Sequence, residues 1–87
     1  MAVPSLHYFF RGYLQVRKER YWSVIDKNGI SHIPFEFDRI EIWDNGLIAV
    51  EKNRKWGLLD SLGNELVPIK YDRSYQIPRT FENQGNN

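Results

Sequence analysis

Apolar and aromatic residues fall in short runs of roughly five to seven positions, the usual length of a strand, separated by Asp, Asn, Gly and charged residues. Val, Ile, Tyr, Phe and Trp concentrate in these runs, and no stretch sustains the 3.6-residue period of an amphipathic helix. The pattern predicts six strands: Tyr13 to Arg17, Tyr21 to Asp26, Ser31 to Phe37, Leu47 to Glu51, Lys55 to Asp60, and Glu65 to Tyr71. The fold class expected is all-β and antiparallel.

The six strands are two copies of three. Shifting the chain by 34 positions places Trp22 on Trp56 without a gap. In the same register Gly12 meets Gly46, Val16 meets Val50, Lys18 meets Lys52 and Arg20 meets Arg54. Asp26, Gly29, Pro34, Asp38 and Arg39 also recur, as Asp60, Gly63, Pro68, Asp72 and Arg73. Self-similarity at such a period is the signature of a repeat architecture. The expectation is a single domain, 1–87, with repeat units at 12–45 and 46–73, flanks at 1–11 and 74–81, and a polar tail at 82–87. The units would form a small twisted sheet or open barrel.

Turn chemistry supports hairpins. Asp26-Lys27-Asn28-Gly29 and Asp60-Ser61-Leu62-Gly63 place Asp at the start of a turn and Gly three positions later. An Asp carboxylate accepts from backbone N–H groups of the turn, and Gly supplies the positive φ that closes it. Asp44-Asn45-Gly46 is a third turn signal. The tips Lys18-Glu19-Arg20 and Lys52-Asn53-Arg54 are charged and expected in solvent. Pro34 and Pro68 cannot donate to a ladder, so each third strand is expected to bend or to lie at an edge.

The segment Lys55-Trp56-Gly57-Leu58-Leu59-Asp60, followed by Gly63, Val67-Pro68 and Tyr71-Asp72, resembles the WG repeat family. The resemblance covers residues 12–73. The second unit follows the pattern; the first departs at Ser23, where the family has Gly after Trp, and at Phe37, where Tyr is usual. These departures bear on how Trp22 packs against neighbouring backbone and leave the fold expectation intact. The resemblance implies short antiparallel strands, no catalytic residues and an interaction role.

Composition narrows the function classes. The 87 residues are 41% hydrophobic and 26% charged, with 12 Lys and Arg against 11 Asp and Glu. A net charge of +1 argues against a dedicated polyanion binder. There is no Cys, so disulfides, thiolate metal sites and Cys nucleophiles are excluded. His7 and His32 lie far apart and in non-equivalent repeat positions, so no metal site is expected. Asp26/Asp60 and Asp38/Asp72 read as turn and strand-end residues and not as acid/base pairs. No nucleophile elbow, zinc motif or phosphate loop is present. No catalytic residue and no cofactor is expected. The apolar stretch Leu6 to Phe10 is too short for a leader or a spanning helix, so a cytoplasmic protein off the membrane is expected.

Trp22 and Trp56 recur and are expected as core anchors. Trp43 has Phe9 as its register partner. It reads either as a clasp between units or as an exposed contact, since Trp is enriched at binding hot spots. With two units only, both ends need cover, and the aromatic flanks are candidates: Tyr8, Phe9 and Phe10 on one side, Tyr75 with Ile77 and Phe81 on the other. The flanks either cap the ends or pair with a second chain as a homodimer. The binding residues expected are therefore Trp43, Tyr8, Phe9, Phe10 and Tyr75. The reading is a small non-enzymatic protein–protein interaction module, an adaptor or inhibitor. A nucleic-acid- or small-ligand-binding β-module is the alternative, resting on tip cations near Tyr13 and Tyr21.

Overall fold

A computed structural model describes residues 12–78. They form six antiparallel strands: β1 (Tyr13–Lys18), β2 (Tyr21–Asp26), β3 (Arg39–Ile42), β4 (Ile48–Lys52), β5 (Lys55–Leu59) and β6 (Glu65–Tyr71). A 3-10 turn, Ser74–Gln76, follows. The all-β antiparallel class is as read from the sequence, and among the described residues there is no α-helix. The strands divide into a β1-β2 pair and a four-stranded sheet ordered β3-β4-β5-β6, neither closed into a barrel.

The repeat is visible in the backbone. β1–β2 and β4–β5 are equivalent hairpins, closing with Lys18 opposite Tyr21 and Lys52 opposite Lys55. Two-residue loops need positive φ to match strand twist. Asn53 and Arg54 both have it, at 54° and 67°, and in the first hairpin Glu19 has it at 60°. At the opposite end, Asp26 Oδ1 accepts from the N–H of Asn28 and Ile30 at 2.8 and 3.0 Å. Asp60 Oδ1 does the same with Leu62 and Asn64 at 2.9 and 2.8 Å. The third turn signal also forms. Gly46 donates to the Trp43 carbonyl, and Asn45 Oδ1 accepts from Leu47 at 3.0 Å.

The third strands are not equivalent, and one residue accounts for it. In the second unit Trp56 pairs with Tyr71, Leu58 with Val67 and Leu59 with Glu65. Three residues of β6, from Pro68 to Lys70, therefore stand opposite Gly57 alone. This is the bend expected at Pro68, and β6 presses onto the glycine to make it. A Cβ on Gly57 would lie 2.6 Å from Ile69 Cγ1 and 2.8 Å from both Ile69 Cα and the Val67 carbonyl oxygen. Gly57 is thus needed for close approach.

In the first unit Ser23 holds that position, and Ser31 to Phe37 is not a strand. The outer bridges survive, Trp22 with Phe37 and Ile25 with Ser31. The middle one, Val24 with Ile33, does not form. Instead the fully buried Ser23 hydroxyl donates to the Ile33 carbonyl at 2.7 Å and meets Ser31 Oγ at 2.9 Å. The Cβ of Ser23 keeps the segment from closing as β6 does, and its hydroxyl satisfies the carbonyl left behind.

β3 is the second correction to the expected three-plus-three arrangement. Arg39–Ile42 leaves the first unit and pairs with β4, Arg39 opposite Glu51 and Ile42 opposite Ile48. The first unit thereby supplies the edge strand of the second unit's sheet. Two cores result. One joins Val24, Ile33 and Phe37 of the first unit to Ile40, Ile48, Val50 and Leu59. The other is built on the second unit, Ala49, Trp56, Leu58 and Val67, and is completed by Trp43 from the first unit and Ile77 from the C-terminal flank. Phe37 is buried in the shared core, where a Tyr hydroxyl in its place would need a partner. Tyr71, its half-buried equivalent, stands beside the solvated Lys70 ammonium, 5.5 Å from its ring.

Candidate interaction surface

The strand ends define two ends of the molecule. At one end both charged hairpin tips meet around Asp38. Its N–H donates to the Glu51 carbonyl at 2.8 Å, and its carboxylate accepts from the Asn53 N–H at 3.2 Å and faces Arg20 at 3.5 Å. A residue of the first unit thus braces the tip of the second. Three more ion pairs lie here: Arg39–Glu51 at 3.4 Å, Lys52–Glu36 at 3.2 Å, and Lys55–Asp72. Lys55 and, more weakly, Arg73 hold the Asp72 carboxyl below the ordinary carboxylate value. Arg17 stands over Trp22 at 5.9 Å and Arg20 over Tyr21 at 4.8 Å. Tyr13, the other aromatic residue of the nucleic-acid alternative, packs on the shared core at the far end of β1, opposite Asp26.

At the other end the Asp-braced turns lie together. A Cβ on Gly63 would fall 2.6 Å from the His32 carbonyl oxygen, so the 60–63 turn abuts the segment after Ile30. His32 Nε2 lies 2.9 Å from Asp26 Oδ2, and that hydrogen bond, with the turn amides of Ile30 and Asn28, lowers the Asp26 pKa. Burial pushes Asp60 up, but the side chain of Asn64 and the amides of Asn64, Leu62 and Gly63 outweigh it, and its pKa is also lowered. The carboxylates are charged braces of rigid turns. Each turn lifts one large apolar side chain into solvent: Ile30 is 52% and Leu62 67% exposed.

The binding residues expected from the sequence separate. Trp43 is 7% exposed and part of the second unit's core, so the exposed-contact reading is corrected. The cause is β3: it delivers Trp43 to a turn closed by its own N–H on the Leu47 carbonyl, at the margin of that core. Trp56 is buried as an anchor; Trp22 is half-buried at the edge of the shared core. Tyr75 is 69% exposed on the 3-10 turn, while Ile77, 1% exposed, fills the second core. Ser74 Oγ donates to Glu41 on β3 at 3.1 Å, so this flank folds back across the sheet. Tyr8, Phe9, Phe10 and Phe81 lie outside the described residues, as do His7 and the 82–87 tail. Ile30 and Leu62 are absent from the sequence reading; an apolar residue inside an Asp-x-x-Gly turn, for Leu62, or directly after one, for Ile30, was the available signal.

Among the described residues no three His, Asp or Glu side chains converge to hold a metal ion, and no helix is long and apolar enough to cross a membrane. No curated protein and no solved structure matches the chain significantly. The family model described as "WG containing repeat" matches residues 22–56 and 56–77. Its two matches run head to tail from Trp22 and from Trp56, the second residues of β2 and of its equivalent β5. With more than half the chain matched and the repeat present in both sequence and backbone, the protein belongs to the WG-repeat family.

Proposed function

We propose that this WG-repeat chain is a non-enzymatic protein-interaction module that acts by occupying a partner's surface, as an adaptor or inhibitor does. The observation that carries the reading is the pair of Asp-braced turns at one end of the molecule, the second packed against the segment that follows the first, that hold Ile30 and Leu62 in solvent. A turn whose backbone N–H groups are tied to an Asp carboxylate loses little further freedom on binding, which lowers the cost of association. Exposed apolar side chains on a rigid support suit contact with another protein. Tyr75, held on the 3-10 turn, offers an aromatic contact of the same kind.

The test is affinity capture from the source cell with the parent, Leu62→Asp and Ile30→Asp as baits. Both positions are exposed, so each variant should fold with stability within about 0.5 kcal/mol of the parent. A protein retained by the parent after nuclease treatment and lost by both variants supports the reading. The same retained set on all three baits, or retention that nuclease abolishes, contradicts it.

A further inference from the structure

The near-zero net charge hides a separation along the strand direction. The segments at the hairpin-tip end, 17–20, 36–39, 51–55 and 70–73, hold nine Lys and Arg against five Asp and Glu. The segments at the Asp-turn end, 26–32, 41–46 and 60–65, hold one Lys against five Asp and Glu. Sheet pairing fixes both assignments. Tip residues lie in the Lys18–Tyr21 and Lys52–Lys55 halves of the ladders, and turn residues in the Tyr13–Asp26 and Ile48–Leu59 halves. Asp38 joins the two tips, and Gly63 lies against His32 at the turns, so both hairpins point the same way. The described chain is therefore electrically polar, with a surplus of four positive charges at one end and of four negative charges at the other.

From this separation we infer that the hairpin-tip end is a second docking surface, and that it takes an acidic protein segment. Four of its five carboxylates are held by Arg20, Arg39, Lys52 and Lys55. Arg17, Lys18, Arg54, Lys70 and Arg73, all exposed, form no ion pair with these carboxylates and, set against Glu19, leave the surplus of four. Arg54 sits at a positive φ where Gly or Asn is preferred, which aims its side chain from a fixed tip.

An acidic protein fits better than a nucleic acid because of what already covers the aromatic rings. The rings that could stack on bases already carry cations: Arg17 over Trp22, Arg20 over Tyr21 and Lys70 over Tyr71. Stacking supplies much of single-strand affinity, so covered rings forfeit it. This surface rests on the interaction-module reading but lies at the opposite end from Ile30 and Leu62, so the two fail separately.

The experiment is a titration of the full chain with a poly-glutamate peptide at low salt, followed by Trp fluorescence and backbone amide shifts, beside single-stranded DNA of equal charge. Lys18→Glu and Arg54→Glu should each weaken poly-glutamate binding on the order of fivefold. Lys27→Glu makes the same change in net charge at the Asp-turn end and should leave the affinity unchanged. Shifts should concentrate at residues 17–20 and 52–55, and added salt should weaken binding. Equal losses in all three variants would assign the effect to net charge and overturn the surface. No binding at low salt, or tighter binding to DNA than to poly-glutamate, would overturn it too.

Discussion

Gly57→Ala reverses the sign that generic rules assign. At a position with ordinary φ, replacing Gly by Ala raises stability by about 0.4–1 kcal/mol through the unfolded chain. Gly57 has no positive φ, so only its surroundings oppose the change. The added methyl carbon would stand 2.6 Å from Ile69 Cγ1 and 2.8 Å from two backbone atoms of β6. To restore contact near 3.4 Å, β6 must retreat by about 0.8 Å, which forfeits a quarter to a half of the dispersion well of each atom pair involved. Overpacking against backbone costs about 2–3 kcal/mol. At roughly 4–8 °C per kcal/mol for a domain of this size, the melting temperature should fall by about 10–20 °C. Thermal and urea unfolding followed by Trp fluorescence and circular dichroism measure it. Gly57→Ser should cost less than Gly57→Ala, because its hydroxyl can reach the Val67 carbonyl as Ser23 reaches Ile33. A Gly57→Ala protein that melts at or above the parent temperature would refute the close-approach argument.

Trp43→Ala should cost about 3–5 kcal/mol, as for a buried large aromatic, and Trp22→Ala distinctly less because that ring is half-buried; equal costs by urea unfolding would contradict the core assignment. Arg54→Gly creates an Asn-Gly turn at two positive-φ positions and should raise stability by about 0.5–1 kcal/mol, read as a higher urea midpoint. Asp26, Asp60 and Asp72 have folded pKa values below the ordinary carboxylate value of 3.8, so the unfolded chain binds more protons in that range. Their contribution is present above 3.8 and lost as pH falls through the lower folded values. The melting temperature should therefore drop in that acid window, and by less in Asp60→Asn.

Much of the fold was legible because the repeat doubles every signal. Asp26 and Asp60 each sit where a carboxylate can reach two turn amides, and Gly29 and Gly63 each supply positive φ, at 82° and 91°. The failed strand, Ser31 to Phe37, was not legible from propensity. Its residues suit a strand, and the determinant sits on the neighbouring strand, at Ser23. That departure from the family pattern stood in the sequence, but its consequence depends on how closely two backbones approach. β3 had a signal of its own, the alternation Arg39-Ile40-Glu41-Ile42. The repeat frame obscured it, since the equivalent Arg73-Ser74-Tyr75-Gln76 lacks the apolar positions and turns into a 3-10 segment. Trp43 was misplaced for the same reason, because its burial follows from the path of β3.

The central claim is that one unit is used twice and that Gly57 against Ser23 decides whether its third segment closes onto the sheet. Cross-strand nuclear Overhauser contacts between backbone protons test it directly. The outer bridges should appear in both units, at Trp22/Phe37 and Ile25/Ser31 and at Trp56/Tyr71 and Leu59/Glu65. The middle bridge should appear at Leu58/Val67 and be absent at Val24/Ile33. A Val24/Ile33 contact as strong as that of Leu58/Val67, or the loss of both, would contradict the account.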